Sequence, residues 1–384
     1  MNRRLFIASL AVSLFLIPQI AYANVGTPLM YTTLMHLLFC NAIIGFGEGL
    51  FLAHFLKVRK IVMIPMMIVA NYFSAWVGWI GLNYFTFEYL KPNFNNAMFI
   101  LWLAIILSFL LTLHLEFPFV YFAQRKQKNH MPKLLRLFAL SQICSYAILF
   151  LFYFSSSSLT ILTKTKTDHT LSFLPQTNAI LYYISTDDGD VYSISLDSLG
   201  APEKVCDLNS DYKRDDLFVF PSDSSSSDSL EGNHEPWDLL ARIYQEGEAY
   251  PKPVLILPEF STKADIDDRR DWDYQKVKEA GIQFAIDGYR SFGPMADLRE
   301  AEDQKWYGRT ESMGWGFSLS GPSPKGQIRL ALDAPFINLP LTNATVIPGD
   351  ILIFQFGQQI CALECETRKI GVIAEGRGPI VVLK

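Results

Sequence analysis

Four segments of this chain, 28–56, 61–87, 97–123 and 134–154, are long and apolar enough to cross a bilayer, which asks for roughly 20 apolar residues over about 30 Å of hydrocarbon. No other feature restricts the fold as strongly. Lys57, Arg59 and Lys60 separate the first two segments, and Arg125, Lys126, Lys128 and Lys133 separate the last two. Between them, 88–96 has Lys91 as its single basic residue. The positive-inside rule then puts both basic loops in the cytoplasm, and 88–96 and everything after about residue 159 on the other side.

Charge divides the chain at the same place. Up to Ser158 there are eleven Lys or Arg against three acidic residues, a balance of +8; beyond it 22 basic residues face 35 acidic ones, a balance of −13. An apolar, basic half thus precedes an acidic half of soluble character. An acidic surface argues against nucleic acid as partner, because phosphate binding needs clustered Lys and Arg. Ahead of the first segment, Arg3 and Arg4, an apolar run over 5–17 and the small-x-small Ala21-Tyr22-Ala23 read as a secretory signal peptide, 1–23, cleaved after Ala23. The organisation expected is therefore signal peptide 1–23, a four-helix transmembrane domain over 24–158, a connector over 159–177 and an extracytoplasmic β-rich domain over 178–384. The compartment that fits is a bacterial-type cytoplasmic (inner) membrane.

The apolar segments are not free of polar groups. A charge in hydrocarbon costs a few kcal/mol or more, so ionisable residues there normally face a bundle interior. On the first segment, Asn41, Gly45, Glu48 and Leu52 share one face at 100° per residue, while His36 and His54 fall roughly opposite. Ala42, Gly45, Gly49 and Ala53 form a small-residue stripe beside Glu48 that admits a close neighbour helix. Measured from each segment's midpoint at 1.5 Å per residue, Glu48 and Glu116 lie roughly 9 and 10 Å to the cytoplasmic side, with Asn71 and Gln142 within about 5 Å on that same side. All four segments offer a polar group to one layer. His114 is near as well, but two residues from Glu116 it points about 200° away from it. Two readings of Glu48, Glu116, Asn41, Asn71, Gln142 and His114 stand side by side. Either they form a site for an ion, a proton or the head of a small substrate, or the amides are interhelical hydrogen bonds and the carboxyls packing groups near the inner headgroups. His36 and His54 are 18 residues, about 27 Å, apart and share no metal.

Beyond residue 178 the periodicity shifts to short β-branched and aromatic runs with turn residues between them: 179–185, 191–196, 216–220, 254–257, 282–286, 316–320, 327–332, 350–356, 359–364, 369–374 and 379–383. Helical spacing is confined to 273–280. The stretch 221–236, with Ser224 to Ser227 inside it, reads as a mobile low-complexity loop. The sequences starting at Ile180 and Ile351 share the order strand, Gly-containing turn, alternating strand, polar turn, strand, and Asp187-Asp188-Gly189-Asp190 is a strong hairpin turn. These units resemble blades of β-propellers, and 350–383 resembles one four-stranded blade; the resemblance implies a propeller-like domain of five blades at most, a sandwich or irregular β-domain being the other possibility.

No His-Glu-x-x-His, Gly-x-Ser-x-Gly, phosphate-binding glycine loop or Cys-x-x-Cys occurs, so no catalytic constellation, metal site or cofactor is expected. The acidic phrase from Asp265 to Asp273 lacks the calcium-loop glycine and terminal Glu and is interleaved with Arg269 and Arg270. Cys361 and Cys365, about 13 Å apart on an extended strand, cannot pair with each other; Cys206 could pair with either of them, three buried, reduced cysteines being the default expectation. The function expected is binding, scaffolding or sensing in the envelope, with the lipid bilayer and other envelope proteins as partners; the alternative is a transport or ion-conducting component using Glu48 and Glu116.

Overall fold

The computed structural model describes residues 28–85, 89–125, 131–174, 179–212, 215–221, 237–244, 251–261, 307–310, 317–323, 326–335, 341–347 and 349–383. The expected signal peptide, residues 222–236 of the expected mobile loop, and the acidic phrase, helix and strand expected between 265 and 286 lie outside them. The chain divides into two compact units, one helical and one β-rich.

The helical unit is built from α1 (Pro28–Met35), a single π turn (His36–Cys40), α2 (Asn41–Leu56), α3 (Lys60–Phe85), α4 (Ala97–Gln124) and α5 (Met131–Ser156). Four continuous helical segments, α1 to α2, α3, α4 and α5, are long and apolar enough to cross a membrane. Leu, Ile, Met and Ala carry these helices, and Pro28 opens α1 where its missing N–H costs nothing. Lys57 ends α2 in the left-handed conformation at φ 56°. The outward faces are apolar too: Ile61, Phe99, Trp102, Leu151 and Phe154 are all exposed. Charged side chains stay off those faces and gather at the loops, a pattern suited to lipid contact.

The small-residue stripe does what its spacing predicts. An added Cβ on Gly45 would sit 2.6 Å from Ile68 Cα, and one on Gly49 would sit 2.7 Å from Ile64 Cα, so the α3 backbone lies directly against both. Toward the basic loops, Leu52, Leu56, Met63, Met67, Val120, Leu134 and Phe138 close into one apolar cluster.

The β-rich unit opens with α6 (Thr160–Lys164) and contains fourteen strands among the described residues. In chain order these are β1 (Lys166–Thr167), β2 (Ala179–Ser185), β3 (Val191–Ser195), β4 (Glu203–Cys206), β5 (Asp216–Pro221), β6 (Trp237–Ile243), β7 (Lys252–Ser261), β8 (Tyr307–Thr310), β9 (Phe317–Ser323), β10 (Gly326–Leu332), β11 (Leu341–Ile347), β12 (Ile351–Phe356), β13 (Gln359–Glu364) and β14 (Lys369–Leu383). They form one large sheet in the order β11-β12-β13-β14-β2-β3-β4, with β1 beside β14, and two three-stranded sheets, β5-β6-β7 and β8-β9-β10.

The two sequence units starting at Ile180 and Ile351 are not separate blades. β14 joins them: Lys369 to Glu375 pairs with β13, and Gly376 to Leu383 pairs with β2. The runs expected as two strands, 369–374 and 379–383, are one strand with a register break between Arg377 and Ile380, where Gly378 has φ +60°. A Cβ there would lie 2.4 Å from Leu217 N, so only glycine fits the bulge. The fourth strand beside β12 and β13 is β11, not 379–383 as expected. No closed barrel or propeller occurs among the described residues.

Both faces of β2 are used. Ala179, Leu181 and Tyr183 enter a core with Ile351, Ile353, Ile360 and Ala362, while Ile184 packs with Val191, Leu217, Leu239 and Ala241 of the other side. This explains why 179–185 reads as a continuous apolar run instead of an alternating one.

Candidate functional site

Glu48 lies in the middle of α2 and Glu116 in the last third of α4, helices that run in the same direction in an up-down bundle. Four neutral donors meet their four carboxylate oxygens. Asn71 Nδ2 of α3 donates to Glu48 Oε2 at 2.7 Å and Ser145 Oγ of α5 donates to Glu48 Oε1 at 2.6 Å. Ser74 Oγ of α3 donates to Glu116 Oε1 at 2.5 Å and Gln142 Nε2 of α5 donates to Glu116 Oε2 at 2.7 Å. The second Asn71 N–H goes to Met67 O at 3.1 Å, which fixes the orientation of that amide.

These bonds close a ring through all four long helices, from α2 to α3, α3 to α4, α4 to α5 and α5 back to α2. All six residues are buried; the most exposed, Ser145, reaches 8%. Each carboxyl takes one amide and one hydroxyl. Each donor helix supplies its amide and, three residues on, its hydroxyl: Asn71 with Ser74, Gln142 with Ser145. Residues three apart on a helix share a face one turn along, so both carboxyls lie within one helical turn of each other. The hairpin of α2 and α3 and that of α4 and α5 thus carry the same pattern, a Glu followed by Asn or Gln-x-x-Ser.

The chemical character of the ring follows from its charges. Every donor is neutral, and Lys57, Lys60, Lys133 and Arg136 are exposed. Two carboxylates confined together in a low-dielectric interior repel each other and demand a compensating positive charge. Such a ring suits a proton shared between carboxyls or a small cation held by hard oxygens; no cluster of three or more His, Cys, Asp or Glu suited to a metal ion occurs among the described residues.

Of the sequence candidates, Glu48, Glu116, Asn71 and Gln142 come together. Asn41 does not join the ring; it lies seven residues from Glu48 on the same face, about 10 Å away along the axis, 2% exposed and with its Nδ2 unbonded. His114 is exposed on the outside of α4 and takes no part. His36, expected on the opposite face from Glu48, instead turns inward and shares a 2.8 Å hydrogen bond between Nδ1 and Tyr153 Oη. The π turn is the cause. It inserts one extra residue and rotates everything before Asn41 by about 100°, and its loosened Leu38 carbonyl is taken by Tyr72 Oη at 2.5 Å.

The sequence does not single out Ser74 and Ser145, because serines inside apolar helices usually bond back to their own backbone, as Ser141 does to Phe138 O and as Ser74 Oγ, beside its contact with Glu116, also does to Asn71 O at 3.1 Å. Their distance of three residues from each amide is the signal that identifies them. On the α1 side of the ring, Tyr146 Oη bonds to Thr112 Oγ1 at 2.6 Å and Ser108 Oγ at 3.2 Å, and Thr32 Oγ1 to Ser156 Oγ at 2.6 Å.

All five cysteines are free thiols; of the three in the β-rich unit, Cys361 and Cys365 are buried and Cys206 is half-buried. Burial pushes the Cys361 and Cys365 thiols far up, which leaves them poor nucleophiles. His169 is exposed in the turn that follows β1. No protein-family model, curated protein sequence or solved structure matches this chain.

Proposed function

We propose that this is a multi-pass protein of a bacterial-type cytoplasmic membrane, and that its helical unit binds a proton or small monovalent cation at the Glu48/Glu116 ring in the service of sensing. In this reading the four long helices span the bilayer with the basic loops in the cytoplasm, after export directed by residues 1–23. The acidic β-rich unit is displayed on the other side as a recognition surface for other envelope proteins. Four apolar helices, two basic loops and the charge asymmetry of the two halves support the topology.

One observation carries the functional part: two buried carboxyls, one from each helical hairpin, share a ring of neutral donors with no basic side chain in it. A helix-packing device needs only one polar group per contact, and neutral amides suffice for that. Placing two carboxyls in one layer adds a cost that a structural contact has no use for, and it provides a group whose occupancy answers to its surroundings.

The test is an infrared difference titration of the full-length protein in lipid, following carboxyl bands in wild type, Glu48→Gln and Glu116→Gln. The expected result is that both variants lose part of the titrating band and that the remaining carboxyl titrates at a different pH from its wild-type value. Independent titration of the two groups, or no titration, means that the ring is packing alone and that function resides in the β-rich unit.

A further inference from the structure

We propose that the ring exchanges its proton or cation with one side only, through a polar column toward the α1 end of the helical unit. This rests on the binding role given to Glu48 and Glu116 above. The two sides of the ring are built differently, and the difference can be followed helix by helix.

Toward the basic loops, one turn beyond each ring residue, stand Leu52 on α2, Met67 on α3, Val120 on α4 and Phe138 on α5, four residues from Glu48, Asn71, Glu116 and Gln142 respectively. The first three are 0% exposed and Phe138 is 3% exposed. A further turn on are Leu56, Met63 and Leu134, with Gln124, whose buried Oε1 also lacks a partner, the one polar member of that layer. An ion or proton meets an apolar layer whose one buried polar neighbour, Ser141, spends its hydroxyl on Phe138 O, and then a nearly complete second one.

Toward the α1 end the same helices present hydroxyls, an amide and an imidazole. Thr112 is four residues and Ser108 eight residues from Glu116, about 6 and 12 Å along α4, and both meet Tyr146 Oη. Asn41 stands above Glu48 on α2 beside the His36 ring, its buried Nδ2 without a partner. His36 meets Tyr153, and one turn farther Thr32 meets Ser156. A buried amide hydrogen left unbonded is costly, roughly 1–3 kcal/mol, and a passing water or ion is what such a group serves.

The π turn completes the column. Without its extra residue His36 would face away from Tyr153, and the polar groups of α1 would lie on the outside. The ionisable groups that face the ring and column are Glu48 on α2, Glu116 on α4, Tyr146 and Tyr153 on α5, and His36 and Cys40 of the π turn; the inward row of α3, Met63, Met67, Asn71 and Ser74, has none. The column thus consists of hydrogen-bonded groups with exchangeable protons on one side, Tyr146 with Thr112 and Ser108, His36 with Tyr153, and Thr32 with Ser156, and in this reading the helical unit reports on that side without conducting to the other.

The experiment uses full-length protein in vesicles with a strongly buffered lumen. External pH is stepped and the Glu carboxyl band is followed by time-resolved infrared spectroscopy, with protonophore added at the end. Added protease, by removing the β-rich unit that follows α5, counts the molecules with the α1 end outward. The expected fast amplitude equals that fraction, and the remaining molecules respond only after the protonophore. Asn41→Leu slows the fast phase about tenfold or more while leaving the final titration unchanged. Tyr146→Phe, which keeps the ring's shape, slows it as well. A fast phase belonging to molecules with the basic loops outward, an equal response from both orientations, or unchanged rates in both variants overturns one-sided access while leaving the binding role intact. A carboxyl band that never moves, even with protonophore, overturns both.

Discussion

Gly45→Ala should loosen the helical unit and break the carboxyl ring with one methyl group. The added Cβ would stand 2.6 Å from Ile68 Cα and 2.8 Å from Met67 O, atoms of the α3 backbone that cannot rotate aside. Non-bonded carbons rest at about 3.5 Å or more, so α2 and α3 must part by roughly 0.9 Å at this point. One turn along, the 2.7 Å bond from Asn71 to Glu48 would lengthen to about 3.6 Å and cease to be a hydrogen bond. Overpacking of this kind costs about 1–3 kcal/mol, and a lost buried hydrogen bond adds about 1–2. Against that, Ala gains up to about 1 kcal/mol over Gly in helix propensity. The net expectation is a loss of about 3 kcal/mol. Gly47→Ala is the matched control, because nothing lies within 4 Å of a Cβ there. Unfolding of both variants in detergent, followed by helical ellipticity, makes the comparison. If Gly45→Ala unfolds alongside Gly47→Ala, the close approach of α3 and the geometry of the ring are refuted together.

Two further outcomes concern the β-rich unit. Arg242 holds Asp216 through Nε at 2.7 Å and Nη2 at 2.5 Å with only 5% of its side chain exposed, so Arg242→Ala should destabilise this unit by about 3 kcal/mol in denaturant unfolding, and Asp216→Asn should recover part of that loss in the Arg242→Ala background. The Lys204 ammonium and the backbone N–H groups of Asn209 and Leu208 hold the Asp190 carboxyl down to about 2, so its stabilising contribution is complete above about pH 4 and disappears as pH falls through 2; the stability gap between wild type and Asp190→Asn, measured across that range, should close toward acid, and a gap independent of pH would falsify this account.

The layer that holds Glu48, Asn71, Glu116 and Gln142 was legible in the sequence because axial rise converts residue number into depth, and depth needs no knowledge of packing. The rotation of a side chain about its helix is less secure. It held for Asn41 and Glu48, which share regular helix, and failed for His36, because nothing in His36 to Cys40 announces a π turn. Ser74 and Ser145 were hidden for a different reason: a serine's meaning depends on which face it shares, and that becomes visible only once the amides three residues earlier have partners. Among the strands, β2 and β13 matched their expected bounds, being dense in apolar residues between turn residues. β6 was missed, since Asp238, Leu239, Leu240, Ala241 and Arg242 contain no β-branched residue to separate strand from helix. The bulge at Gly376 to Pro379 looked like a turn, and only pairing with β2 shows that β14 passes straight through it.

That last strand has a consequence for how the β-rich unit is made. Leu181 and Val381 are partners 200 residues apart, so β2 leaves the ribosome long before the segment that covers its edge. During synthesis, β2, β3 and β4 form a hairpin stack with an open border, the kind of border that recruits strands from other chains. Assembly of the large sheet is therefore a late, long-range event, slow by nature. A holding factor, or delivery straight to the face of a partner, would guard the nascent border until β14 arrives, and a chain truncated before Lys369 would expose that border permanently.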